Sequence, residues 1–270
     1  MSGGAAGFFA GWVTGAAPPE TPQVGAASSA RAPAGSGSAS RPAAAPPEKF
    51  GYLSFAQQGE DLVMKNMLDM AGLVKPTYLD IGAHHPIRDN NTFLFYTQGA
   101  RGVLVEPNPK YAALLREVRP GDKVLEAGIG IAGRAEADYY VIDGDGQLNT
   151  FSKEQADKLI TLGRKIEKTI KRELLDINQV IDENFAHAAP DLLSIDVEGL
   201  DLAILQRLDF TRFKPHVICV ETSEIGTGTV DQEIHRLLEK KGYAARGGSF
   251  PNTIFLDDRM LKLYGSNTTR

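Results

Sequence analysis

The sequence holds one cysteine, Cys219, and one tryptophan, Trp12, among 270 residues. A single thiol closes no internal bridge, so a core must hold the fold, and nothing points to an oxidising compartment. No apolar run approaches the roughly 20 residues of a membrane-spanning helix. A basic excess is also missing. Against 29 Lys and Arg stand 34 Asp and Glu, and the formal charge of -5 argues against a nucleic-acid binder. Glycine is short where a phosphate-binding turn would need it. "TYLDIGAHHPIRDNNT", residues 77–92, carries Gly82 alone, and a G-x-G-x-x-G turn is therefore excluded.

What is present divides into two materials. Residues 1–48 are Ala, Pro, Ser and Gly with little to bury, which predicts disorder. Within them "AAGFFAGWVTGAA" is a short apolar patch. No Lys or Arg precedes it, the first basic residue being Arg31, which argues against a signal peptide and favours a weak docking segment or a leader of no consequence. Residues 49–260 read as one α/β domain, and 261–270 as an exposed tail. Ser54 with Gln57 has capping-box spacing for a helix carrying Leu62, Val63, Met67, Leu68 and Met70. Buried strands are predicted at "TYLDI", "RGVLVE", "KVLEAGIG", "DLLSID", "HVICVE" and "NTIFLDD", with a short extra one at "AEADYYVID". A long charged helix is predicted over "SKEQADKLITLGRKIEKTIKREL", through Leu159, Leu162, Ile166 and Ile170. Short apolar strands alternating with helices imply a mostly parallel sheet covered on both faces.

In such a sheet ligands bind beyond the carboxyl ends of the strands. Four predicted strands end on or next to an acid there: Asp80, Glu106, Asp196 and Glu221. Glu106 ends the second strand about 20 residues after the first turn, where an acid takes the ribose hydroxyls of an adenosine cofactor. NAD and S-adenosylmethionine share that ribose. The turn decides between them, because Asp80 suits a cationic ligand and repels a pyrophosphate, and Gly82 lets backbone pass close beneath a methionine chain. Gly82, Ala83, His84 and the helix cap Asn108 are counted with Asp80 and Glu106 as cofactor residues.

"DIGAHHP…NT", "GVLVEPNP", "LLSIDVEG" and a preceding "QQGEDL" together resemble the FkbM-type S-adenosylmethionine-dependent methyltransferases, from about Ser54 to Asp257. The departures are few. Ala56 stands where the family has Ser, Asp201 where it has Glu, and His84-His85-Pro86 where many members have Asn-x-Gly. The resemblance implies a Rossmann-like seven-strand methyltransferase sheet with an antiparallel last strand. It also implies O-methylation of a small-molecule hydroxyl, often on a sugar or secondary metabolite. A cytoplasmic location is expected.

Methyl transfer to an alcohol needs the nucleophile held in line and its proton removed, or its oxygen polarised by a metal. Asp196 and Glu198 are the candidates for that work, with His85 as an alternative base. Which of His84 and His85 is functional stays open. Asp196 and Glu221 are candidate ligands for Mg2+ or Mn2+. Glu198 capping the helix after Gly199 is the competing structural reading. The basic residues between Lys153 and Arg172 read as a solvated face or as a lid drawing an acidic sugar. Two other functions remain open on residues alone, an NAD(P)-dependent oxidoreductase and a cofactor-binding module without catalysis.

Overall fold

The computed structural model describes residues 51–131, 135–144, 146–223 and 228–260. The expectations for residues 1–48 and 261–270 lie outside them.

Seven strands form the main sheet: β1 (Tyr78–Ile81), β2 (Gly102–Val105), β3 (Lys123–Leu125), β7 (Leu192–Ile195), β8 (Val217–Glu221), β9 (Tyr243–Gly248) and β10 (Asn252–Asp257), in the order β3-β2-β1-β7-β8-β10-β9. The first five run parallel, and β10 is inserted antiparallel between β8 and β9. The mixed sheet with an antiparallel last strand is the expected one. Alternating side chains split its core in two. On one face Leu79, Ile81, Val103, Leu193, Ile195 and Val220 meet α5 (Ile177–Asn184), α6 (Asp201–Arg207) and α7 (Gln232–Lys240). On the other, Tyr78, Leu104, Leu192, Val217 and Cys219 meet α1 (Glu60–Met70), α2 (Phe93–Thr97) and α3 (Pro109–Val118). Being covered on both sides, the central strands are apolar apart from Asp80 in β1, Ser194 in β7 and Glu221 at the end of β8.

A second sheet, β4-β6-β5, is built from β4 (Gly128–Ile129), β5 (Glu136–Ile142) and β6 (Ile166–Leu175), with α4 (Lys153–Thr161) between β5 and β6. It corrects two expectations. "KVLEAGIG" is not one strand but two, β3 in the main sheet and β4 in the small one. The predicted long helix stops at Leu162, because Gly163 takes a left-handed φ of 86°, and the rest is β6, paired antiparallel with β5. Ile166 and Ile170 are four residues apart, a spacing that fits one face of a helix and, being even, one face of a strand as well. The supposed basic lid helix is therefore one short helix and one arm of a ribbon.

The start of α1 is also corrected. The helix begins at Glu60 behind Gly59, whose φ is 93°, and no Ser54 cap forms. Asp61 accepts instead from the Ser54 hydroxyl (2.6 Å) and the Phe55 N–H (2.7 Å), wrapping residues 54–58 as a loop. Met64 is buried in place of Met70, which is exposed. Strand β9, unforeseen, is an edge strand with two glycines and little apolar pattern.

Candidate active site and acidic cluster

The site starts from the turn after β1. Gly82 holds φ 84°, and a Cβ there would sit 1.8 Å from the Asp196 carbonyl oxygen. Glycine is thus required by the neighbouring strand end, besides whatever approach a ligand makes. The N–H groups of Gly82 and Ala83 both point to the Val105 carbonyl, joining the turn to β2. Asn90 then organises the loop. Its amide donates to the carbonyls of Ala83 and His85, while its Oδ1 accepts from the N–H groups of Thr92 and Phe93 and from Arg119. Fully buried Arg119 also reaches Thr92, Tyr78 and Asp122.

Asp80 belongs to this network. Its carboxylate accepts from the Thr92 hydroxyl at 2.6 Å and is buried, which raises its pKa against the pull of Thr92 and Arg119. It anchors the loop from behind.

Glu106, just past β2, accepts from the N–H groups of His84 (2.8 Å) and Asn108 (2.7 Å), one on each oxygen. Burial pushes it up to about 7, those two N–H groups opposing. Each oxygen keeps a lone pair, so the group suits a vicinal diol. Asn108 caps α3 by accepting from the Lys110 N–H. His84 sits at φ 45° with its ring 4.1 Å from that of Tyr111, and Gly146 from the small sheet's loop closes over both. His85 is turned to local use. Its Nδ1 accepts from the N–H groups of Ile87 and Arg88, so its proton lies on Nε2 and the basic lone pair is engaged. Partial burial and the charges of Arg88 and Lys110 lower its pKa. This geometry opposes the expected role of His85 as a base.

Beyond β7 and β8, Asp196, Glu198 and Glu221 each place a carboxylate oxygen within 4.8 Å of the others. Asp196 keeps an open face, yet withdrawal from bulk water, with Asp201, Asp80 and Glu60 nearby, raises its carboxyl well above the ordinary range. Burial raises Glu198 and Glu221 too, followed by the neighbouring carboxylates of the cluster and Asp201. Glu198 does not cap α6, whose N-cap position Leu200 makes no side-chain bond. Asp201, the first residue of the helix, accepts from the N–H groups of Val197 and Gly199 and so shapes the loop carrying Glu198. A cleft of about 120 Å³ opens beside Glu221, lined by Gln155, Lys158, Thr222, Ser223 and Asp231 among others.

Asn90, Thr92, Arg119 and Asp201 went unread as site residues in the sequence. The signal for two of them was present in "DNNT", where Asn and Thr two apart commonly bond local backbone; Arg119 carries none.

The profile of the methyltransferase FkbM domain matches residues 80–245, more than half of the chain. No curated protein sequence matches. Among solved structures the chain is similar to a TehB-like SAM-dependent methyltransferase from Corynebacterium glutamicum, with 10% identity over 74% of this chain and 88% of that one and a TM-score of 0.38. It is also similar to an O-methyltransferase from Bacillus cereus in complex with SAH, with 14% identity over 73% and 77% and a TM-score of 0.37. With an acid past β2 suited to ribose, a turn that no pyrophosphate motif occupies, and the family profile across both, the chain belongs to the FkbM methyltransferase domain family and is an S-adenosylmethionine-dependent methyltransferase.

Proposed function

We propose that the enzyme methylates a hydroxyl of a polar small molecule, a sugar or secondary metabolite, and that residues 49–260 are its catalytic domain. The observation that carries this reading is the carboxylate cluster beside a cleft lined by Gln155, Lys158, Thr222 and Ser223, groups that hydrogen-bond hydroxyls. Gly82, Ala83, His84, Glu106 and Asn108 hold the cofactor, Glu106 at the ribose, while Asp80 fixes their loop. When bound, S-adenosylmethionine supplies a methyl carbon on a sulfonium whose leaving group is a neutral thioether. The chain's own part is to align the acceptor oxygen and take its proton. Asp196 is the residue we assign to this. It is open to the acceptor, and its raised pKa brings it toward the range suited to a base at neutral pH. Glu198 stands beside it as the second polar contact.

Calorimetry with S-adenosylhomocysteine and with NAD(P) tests the cofactor, and labelled-methyl transfer to a panel of sugars and glycosylated metabolites tests the acceptor. Homocysteine-product binding with transfer to a hydroxyl is expected. Binding without turnover on any hydroxylated acceptor would favour a module that has lost catalysis.

A further inference from the structure

We infer that Asp196, Glu198 and Glu221 form a binding site for a divalent cation that prefers hard oxygen ligands, Mg2+ or Mn2+. Their ligand oxygens come from three places, the end of β7, the loop after it and the end of β8, and converge to within 4.8 Å. An all-oxygen donor set of few carboxylates with room for water suits these ions over thiophilic ones.

An independent observation points to a ligand. The Glu198 Oε2 is buried and has no hydrogen-bond partner. A carboxylate oxygen withdrawn from water without a donor is costly, and a cation in the cluster would give it one. The backbone around it is fixed by neighbouring groups. Glu198 takes φ 57°, unusual for a side chain of its kind, its carbonyl accepts from the Thr150 hydroxyl at 2.8 Å, and Asp201 binds the N–H groups on either side. The charges that act on the three are other carboxylates. In the proposed methyl transfer the ion would polarise the acceptor hydroxyl. Only that purpose rests on the proposed function; the binding does not.

The test is a titration of the full chain with Mn2+, without cofactor or acceptor, following free Mn2+ by electron paramagnetic resonance. One Mn2+ per chain is expected, displaced by Mg2+. Glu198→Gln and Glu221→Gln should each weaken binding at least about tenfold, and Glu183→Gln on α5 should not. Both variants should keep the circular dichroism and, in EDTA, at least the melting temperature of the parent, since the amide matches the shape of the carboxyl group and adds no charge. Absence of stoichiometric Mn2+ on the parent chain overturns the site, as does affinity untouched by both substitutions, and the cluster then shares protons instead. Methyl transfer that persists in EDTA with no Mn2+ bound overturns the cation and spares the O-methylation reading. Tight Mn2+ binding lost in the variants, with no transfer to any hydroxyl, sustains the cation and removes that reading.

Discussion

Two acids, past the ends of the strands that flank β1, differ in their surroundings. Glu106 is walled in and already accepts two backbone N–H groups, which under the proposed function suits it to neutral donors such as ribose hydroxyls. Asp196 keeps an open face. Substitution should separate the two. Asp196→Asn is expected to lower kcat by about 10²-fold, the usual scale of general-base assistance, with little change in affinity for S-adenosylhomocysteine. Glu106→Gln should do the reverse, weakening that affinity by about tenfold or more as charged acceptors become neutral ones. Steady-state kinetics and calorimetry on both variants check this, and an active Asp196→Asn enzyme would shift catalysis to substrate positioning.

At the scale of elements, the loop between β1 and α2 owes its shape to α3. Arg119 closes the helix and reaches back to Asn90, Thr92 and Tyr78, with Asp122 as its fully buried counter-ion at 2.8 Å. Removing one member of a buried pair leaves the other uncompensated, at a cost of about 3–5 kcal/mol. Arg119→Ala should therefore lower the melting temperature by about 10 °C in a domain of this size. Because Asn90 loses its partner, cofactor-product affinity should fall as well. A variant that melts as the parent does would show that water replaces the guanidinium.

For the molecule as a whole, burial of acids makes stability depend on pH. Glu106 is raised from 4.5 to about 7 in the folded chain, so the folded state binds more protons than the unfolded state between those values. Stability is then fully present below about 4.5 and is lost as pH rises through about 7, by about 3 kcal/mol for this group. The ligand-free protein in EDTA should melt progressively lower from about pH 5 to pH 8. Glu106→Gln, which cannot ionise, should flatten part of that slope; a profile identical in both would remove Glu106 as its source.

The central strands, the turn at Gly82 and the acids Glu106, Asp196 and Glu221 at their ends were legible in the sequence, because buried parallel strands are continuous apolar runs and their ends are marked by a change to polar residues. Local pattern could not separate α4 from β6, since a four-residue spacing satisfies both periods and only pairing with β5 selects the strand. Nor could it join Arg119 to Asn90, 29 residues apart, or bring Glu198 to Glu221. Those contacts are made by sheet order, which places β7 beside both β1 and β8 and so sets distant segments at one edge. Residue type and strand position were determined by the chain alone. Which carboxylates face one another, and which turn inward to hold a loop, was decided by the tertiary structure, because convergence depends on packing across strands that are remote in sequence.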